Sequence, residues 1–533
     1  MKTLLLSNIN MKPLVAALRP MEVVSGEYGS LLLDLVNPQS VAAGADIDRV
    51  LCLHDSDGLL GDALYGEDTP DQCEALIAAL DGYCARQPGK IVVSHTFCFS
   101  SARWLTYADP LQPQSLRTRE TALNDRLLAL AKRTPNLVLI DLEGIVRRHG
   151  EAALYSPAFW YAGRIRYTSL GFRELATAVQ QALDAYGNKA KKVLVLDLDN
   201  TLWGGIAGET GPMDIALSEE GAGRCYRDFQ RALKALTRTG VLLAICSKNN
   251  PGDVDEVFER NPMMILRRGD FASLRVNWEP KPQNIADIAQ VLDLGLDSFV
   301  FLDDNPVERS LMATTCPEVT VPDFPAKPEE LPGWFRNVIV PRYFGKYVIS
   351  AEDRNKTEQY RANEVRHGLA QKLDLDSFLA ELGIDCTLHV NEPELIARAA
   401  QMTQKTNQFN LTTRRYQIPD VKRFVESPDH AVILLDYKDK FGSEGIVGLA
   451  ILDLTEGRFD TFLMSCRVIG RKVEDRIIAK AGELVRAHGG TKLIGELIPT
   501  RKNGLVASFF EDHGFAVVKA EPDGHKIYEK ALA

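Results

Sequence analysis

Three near-continuous apolar runs constrain this chain most: Val193-Leu194-Val195-Leu196, Val241-Leu242-Leu243-Ala244-Ile245 and Phe299-Val300-Phe301-Leu302. Runs that do not alternate with polar residues belong to strands covered on both faces, the mark of a parallel sheet between helical layers. Each run ends in a polar tail: Asp197-Leu198-Asp199-Asn200-Thr201, then Ser247-Lys248-Asn249-Asn250, then Asp303-Asp304. Ligands of open α/β sheets collect at the carboxyl ends of strands. The three tails are therefore expected to meet at one site of a doubly wound domain.

The chain has 533 residues, more than one hydrophobic core usually organises. A polar segment from Gly187 to Lys192 and a cluster of prolines at 317, 322, 325, 328 and 332 cut it into three blocks. The first alternates short apolar runs (Lys2 to Leu6, Val50 to Leu53, Ile91 to Ser94, Leu137 to Ile140) with helices over Thr121 to Lys132 and Phe172 to Tyr186. That rhythm predicts a second α/β parallel sheet. The third block reads as a charged helix (Glu352 to Leu373), a helix (Leu395 to Thr403), and strands Ala431 to Asp436, Gly445 to Asp453 and Arg458 to Ser465. A helix (Val473 to His488), a strand (Leu493 to Leu497) and a helix (Asn503 to His513) follow. Consecutive strands between helices indicate α+β. The predicted boundaries are 1–188, 189–322, a linker and helix over 323–371, and 372–533.

Composition narrows the function classes. At 45% hydrophobic and 25% charged residues the chain is globular rather than disordered or coiled-coil. A formal charge of −10 gives no electrostatic footprint for nucleic acid. No stretch approaches 18 apolar residues, and the opening apolar run is too short for a signal peptide. Nine cysteines with no C-x-x-C pair suggest neither a disulfide framework nor a zinc knuckle. A cytoplasmic protein without nucleic-acid or membrane partners is expected.

Two acids two residues apart in extended chain project to one side, so Asp197 and Asp199 can face one metal ion or one transferring group. A lone D-x-D is usually a solvated turn. The ordered set of aspartates, a hydroxyl (Ser247), a lysine (Lys281, within Trp278-Glu279-Pro280-Lys281-Pro282) and paired aspartates resembles the haloacid dehalogenase (HAD) superfamily over about 190 to 322. The resemblance implies that Asp197 attacks phosphorus to form an aspartyl phosphate. It gives Asp199 the general acid and base work. It further implies Mg²⁺ bound by Asp197, the Asp199 carbonyl and Asp303, with Asp304 one layer further out, and phosphate held by Thr201, Ser247, Lys248, Asn249 and Lys281. Only 46 residues separate Thr201 from Ser247 and 34 separate Ser247 from Lys281. Neither gap holds a large cap domain, so flanking domains or the substrate itself must exclude water.

Longer strings narrow the resemblance. Thr201-Leu202-Trp203-Gly204-Gly205-Ile206-Ala207-Gly208-Glu209, Asp303-Asp304-Asn305-Pro306-Val307-Glu308-Arg309 and Gln404 to Tyr416 are similar to the FkbH-like family, HAD subfamily IIIC, across nearly the whole chain. Such proteins are implied to take the glyceryl unit of 1,3-bisphosphoglycerate, remove its phosphate and load it on the phosphopantetheine thiol of an acyl carrier protein, for polyketide or related biosynthesis. The third block also resembles the GNAT acyltransferase fold, in which an R/Q-x-x-G-x-G/A turn cradles a pyrophosphate with backbone N–H groups. Arg467, Gly470 and Arg471 follow that pattern, and Lys472 replaces its small last residue. Arg471 and Lys472 are thereby expected to meet a pantetheine phosphate or an acidic carrier surface. Cys466 is the first candidate for the acyl-bearing thiol. Cys246 is the second, although strand alternation points it away from the phosphate site. Asn407 and Arg414 are weaker candidates for binding substrate oxygens.

In the first block, Ser7-Asn8 after an apolar run resembles the nucleophile turn of SGNH hydrolases. The late D-x-x-H of that triad is missing, since Phe159 to Phe172 contains no histidine. The block is expected to be catalytically degenerate unless His95 or His54 supplies the base. Two alternatives remain from the sequence. One is a HAD phosphatase acting on another phosphorylated small molecule or carrier-tethered substrate, and the other is a non-catalytic scaffold that recruits a carrier protein.

Overall fold

The computed structural model describes residues 1–61, 71–100, 106, 108, 111–112, 115–349, 353, 356–370, 374–406, 408–465, 468–501 and 503–532. They form two compact units, one of Met1–Ala190 with Arg336–Ile349, the other of Lys191–Phe335 with Ser350–Ala533. Among the described residues no helix is long and apolar enough to cross a membrane.

The first unit is built on β1 (Thr3–Leu6), β2 (Val23–Ser25), β3 (Arg49–Cys52), β4 (Ile91–His95) and β5 (Leu137–Ile140), all parallel in the order β2-β1-β3-β4-β5. Leu4, Leu6, Val50, Cys52 and Val92 pack into one apolar cluster, and the alternating Leu5, Leu51 and Val93 pack into another. The sheet is therefore buried on both faces, as its unbroken apolar runs demand. The edge strand β2 has no such run. Val23, Val24 and Ser25 are all at least partly exposed, which hid the strand from hydropathy. The returning segment Arg336–Ile349 closes this unit: the Tyr347 hydroxyl donates to the Leu137 carbonyl at 2.5 Å, and its ring lies 5.9 Å from that of Tyr186.

The second unit holds two sheets. The first has β6 (Val193–Leu196), β7 (Leu242–Lys248), β8 (Phe271–Asn277) and β9 (Phe299–Leu302), all parallel in the order β8-β7-β6-β9. Val193 and Val195 pack with helices Lys281–Leu292 and Pro306–Thr315, while Leu194 and Leu196 are equally buried on the other face. Edge strand β8, with the mixed sequence Phe-Ala-Ser-Leu-Arg-Val-Asn, was not legible as an apolar run.

The second sheet has β10 (Asp385–Val390), β11 (His430–Asp439), β12 (Gly442–Asp453), β13 (Arg458–Met464), β14 (Lys492–Leu497), β15 (Ala516–Ala520) and β16 (Lys526–Ala531), in the order β10-β11-β12-β13-β14-β16-β15. Every pairing is antiparallel except β13 with β14, which run parallel and meet only at Arg458 and Ile494. The helix expected over Asn503 to His513 is a 3₁₀ turn (Gly504–Val506) followed by one short helix, Phe509–Asp512. Asn503 stands at the start of the turn, and its side chain donates to the Asn410 and Ile498 carbonyls at 2.9 and 3.0 Å, tying the turn to the chain before it.

Helix Lys356–Ala370 lies between the two sheets of this unit. Tyr360 packs against the apolar cluster of the β6 sheet. Six residues on, the buried Arg366 donates to both Asp439 carboxylate oxygens at 2.7 Å and to Glu444, on the strands of the other sheet.

Candidate active site

The chain leaves β6 at Asp197, whose N–H donates to the Leu302 carbonyl at 3.0 Å, tying it to the end of β9 where Asp303 and Asp304 follow. Lys281 opens helix Lys281–Leu292, and its ammonium stands 2.9 Å from Asp197 Oδ1 and 2.6 Å from Asp303 Oδ2. Carboxylate oxygens of Asp197, Asp303 and Asp304 lie within 4.8 Å of one another. Asp304, which the sequence placed one layer out, thus brings its carboxylate into the group. Its N–H donates to the Thr201 hydroxyl at 3.2 Å, which fixes the turn of β9 against the turn of β6.

Electrostatics follow from this crowding. Burial, then the neighbouring Asp197, pushes the Asp303 carboxyl up to about 6. Burial and Asp197 also raise Asp304. Burial alone would lower the Lys281 ammonium, but Asp197 and Asp303 overcome it and hold the lysine above its ordinary range. Three acids face one ammonium, leaving an excess of negative charge that a hard, oxygen-seeking divalent cation fits.

Asp199 is oriented differently. Its Oδ1 accepts from the Trp203 indole N–H at 2.8 Å and the Ala207 N–H at 3.1 Å, and its Oδ2 accepts from Asn249 Nδ2 at 2.9 Å. Asn200 in left-handed conformation (φ 54°) makes the tight turn that brings Trp203 and Ala207 back to it. Burial raises the Asp199 pKa against those three donors, and Asp197 adds to the rise. An acid held above its usual range and clamped in one orientation is suited to carry a proton.

Among the predicted phosphate ligands, Thr201, Ser247, Asn249 and Lys281 are all buried at this edge of the sheet. Four of the five predicted ligands are engaged within the protein: Lys281 with Asp197 and Asp303, the Thr201 hydroxyl with the Asp304 N–H, Asn249 with Asp199, and Lys248 with Glu308 at 2.6 Å. Trp203 and Asn250 stand in the sequence only inside longer strings, with no role of their own. Their signal is position, four residues after Asp199 and two after the end of β7.

Cys246 does not suit acyl transfer. It is fully buried among the apolar residues of β6 and β9, its thiol points to the Lys281 carbonyl at 3.6 Å, and burial pushes its pKa up to about 12. A thiol in that setting is neither accessible nor ionised.

In the third block, Cys466, Arg467 and Asn407 lie outside the described residues. Gly470 (φ 79°) and Lys472 (φ 54°) form an exposed left-handed turn. Arg471 departs from the expectation of a surface cation. It is 8% exposed, with its guanidinium 4.9 Å from the Tyr437 ring centre and 3.8 Å from Asp439, because stacking and ion pairing inside the sheet outcompete solvent. Arg414 is likewise committed to protein carboxylates, 2.8 Å from Asp460 on β13 and 2.9 Å from Glu496 on β14.

The gap between β13 and β14 is filled by the chain itself. Leu411 N–H donates to the Phe462 carbonyl at 3.1 Å, Met464 N–H to the Phe409 carbonyl at 3.0 Å, and Ile498 N–H to the Leu411 carbonyl at 2.8 Å. Asn410 pairs with Leu463 in antiparallel register. Asn410, Leu411 and Thr412 are buried. Backbone groups that two diverging strands would leave unpaired are satisfied by this inserted segment.

In the first unit, His54 and His95 are fully buried and stacked 4.1 Å apart. His95 Nε2 accepts from the His54 N–H at 3.1 Å, and its Nδ1 lies 2.9 Å from the Thr96 carbonyl. Neither nitrogen of His95 is left to serve Ser7. Arg166 occupies the neighbouring edge, 2.8 Å from Asp57 and 3.5 Å from Asp55.

No family model matches the chain, and no curated protein matches it. Among solved structures it is similar to the N-terminal part of the Bacteroides fragilis protein BF1531, which contains a phosphatase domain and was determined with bound Mg. That match has 29% identity over 65% of this chain and 94% of the other, with a TM-score of 0.59. An acetyltransferase of the GNAT family from Streptococcus pneumoniae aligns with 28% of this chain and 100% of its own, at 13% identity and TM-score 0.22. Ard1 from Thermoplasma volcanium aligns with 28% of this chain and 98% of its own, at 14% identity and TM-score 0.22. Over most of its length the chain is thus similar in fold to a magnesium-bound protein with a phosphatase domain.

Proposed function

We propose that this chain is an enzyme of the FkbH-like type. It would transfer the glyceryl unit of 1,3-bisphosphoglycerate to the phosphopantetheine thiol of an acyl carrier protein and remove the remaining phosphate at the Asp197 centre. The observation that carries the phosphatase half is the group of Asp197, Asp303 and Asp304 at adjoining strand ends, with the Lys281 ammonium against the first two. The match to a phosphatase-domain protein supports it. The acyl-transfer half rests on the sequence resemblance and on the third block's strand order, with one parallel pair in an otherwise antiparallel sheet.

In this reading Asp197 attacks phosphorus, its oxygen forming the new bond as the bond to the substrate oxygen breaks. Asp199 gives that leaving oxygen its proton. Water then attacks the aspartyl phosphate, Asp199 takes back a proton, and free phosphate leaves. Lys281 neutralises charge on the transferring group. Mg²⁺, for which Asp197, Asp303, Asp304 and the Asp199 carbonyl are the residues at hand, would supply further neutralisation of phosphoryl oxygens when bound. The acyl phosphate of the donor is already activated, so a thiolate displaces its phosphate without ATP. The 3-phosphate is left for the carboxylate centre. Cys466 remains the candidate thiol.

The test is Asp197→Asn. Acyl loading should persist while the product retains its phosphate, read as the mass of the adduct on enzyme or carrier. Dephosphorylated product formed at the normal rate would refute the assignment. A second reading, a phosphatase whose third block only docks a ligand, is favoured by the segment filling the gap between β13 and β14. Mass gain of a glyceryl unit on holo carrier, absent on the apo form, decides for the first.

A further inference from the structure

Two loops and one helix start at the carboxyl edge of the β6 sheet each leave a large apolar side chain in water. Ile206 after β6 is 42% exposed, Trp278 after β8 is 68% exposed and Val307 after β9 is 70% exposed. Beneath them the floor of the site is charged. Trp278 differs from the other two in how firmly it is held. Asn277 Oδ1 accepts from the Glu279 N–H at 3.0 Å and from Asn284 Nδ2 at 2.8 Å, and Asn277 Nδ2 donates to Asn284 Oδ1 at 3.1 Å. The loop that carries the indole is thus pinned to the helix that carries Lys281.

The indole is fixed at its polar edge as well. Its Nε1–H donates to Asn250 Oδ1 at 3.0 Å, and Asn250 Nδ2 donates to Asp253 at 3.0 Å. Asn250 directly follows Asn249, the residue that holds Asp199. The polar atom of Trp278 is therefore spent on the protein, while the residue stays 68% exposed, its indole tied to the loop whose Asn249 holds Asp199. An exposed ring held in place by hydrogen bonds at the carboxyl edge of the sheet offers a firm surface to a substrate that extends past the strand ends.

We propose that Trp278 is the specificity-determining residue of the phosphatase centre: its ring face receives the organic body of the substrate and favours a phosphate carried on a long acyl-thioester chain over a small free phosphate. The inference rests on the phosphatase reading given above. A small phosphate engages the charged floor alone, and nothing it carries reaches the rim. An extended thioester arm must cross that rim, and there the ring can both hold it and displace water from the entrance, a task no cap domain performs in this chain. Trp278 acts in this scheme by contact with substrate and takes no part in moving protons.

The experiment compares two phosphomonoesters with the same reacting end, 3-phosphoglycerate and the 3-phosphoglyceryl thioester of pantetheine, on wild type, Trp278→Ala and Trp278→Phe. Wild type should prefer the thioester in kcat/KM. Trp278→Ala should lose about tenfold on the thioester, mainly through KM, so that the ratio between substrates collapses. Trp278→Phe should recover most of it. Titration of the thioester onto Asp197→Asn with and without Trp278→Ala should show a matching tenfold change in Kd. Equal losses on both substrates, no wild-type preference, or a Phe variant no better than Ala would each overturn the proposal. Failure of the phosphatase reading shows separately, as undiminished turnover of both substrates by Asp197→Asn alone.

Discussion

The Lys281 ammonium stands 2.6 Å from Asp303 Oδ2, with both side chains sealed from solvent. Breaking such a pair leaves an uncompensated buried charge, at a cost of about 3 to 5 kcal/mol. Lys281→Met should lower the melting temperature and cut phosphate release by about 10² to 10³, since a charge aimed at the transferring group is lost. Melting curves and steady-state phosphate release check this. A variant that is destabilised yet fully active would make the lysine a structural counter-charge only.

Asp304 makes a prediction that changes sign with metal. Its carboxylate adds repulsion to Asp197 and Asp303 in the metal-free protein and attraction once a divalent cation is present. With a chelator, Asp304→Asn should melt above wild type. In millimolar Mg²⁺ the order should invert, because wild type gains more from ligand binding. Titration calorimetry should show Mg²⁺ bound about tenfold more weakly by the variant.

The stacked histidines of the first unit should make that unit acid-sensitive. Burial lowers His95 to about 4 and brings His54 well below its ordinary value, with His95 adding to the effect. Both folded values lie below the unfolded value of about 6.5, so the unfolded chain binds more protons, and stability is lost as pH falls from about 6.5 toward 4. His54 also keeps both ring nitrogens without a hydrogen-bond partner. His54→Phe should therefore be neutral or stabilising at pH 7.5 and less sensitive to acid. Hydrogen exchange of the β3 and β4 amides at pH 7.5 and 5.5 reads both effects.

If the arm of a carrier enters the third-block sheet between β13 and β14, the inserted segment has to leave. The amides of Leu411, Met464 and Ile498 should then exchange faster than those in the middle of β12 and respond to added pantetheine 4′-phosphate. Exchange as slow as that of β12, unmoved by the probe, would mean that this sheet is closed and that thiol chemistry happens elsewhere.

The sequence made the inner strands legible because double-sided burial leaves an unbroken apolar run, as in Val193 to Leu196 and Phe299 to Leu302. It failed at the edge strands β2, β8, β10 and β15, which are short or mix apolar and polar residues, and at the inner strand β16, whose Lys-Ile-Tyr-Glu-Lys-Ala is just as mixed. Asp197, Lys281 and Asp303, read from the sequence as neighbours, lie together at one edge of the sheet, since topology alone brings parallel strand ends together. The sequence could not tell that Lys248 turns to Glu308 or that Arg471 turns inward, because those choices depend on partners that folding supplies from 60 and 32 residues away. The inserted segment at Phe409–Thr412 has no periodic signature, being held by backbone bonds that any sequence can make.

Helix Lys356–Ala370 has a consequence for how such a chain can be dissected. Tyr360 and Arg366 are six residues apart, roughly 9 Å along a helix, yet each completes the interior of a different sheet. A gene fragment ending ahead of this helix would uncover the apolar flank that Tyr360 shields, and one beginning after it would strand Asp439 and Glu444 without the Arg366 guanidinium. Neither half is a portable module, so any recombination that exchanges one chemistry for another must carry the hinge-pin with both.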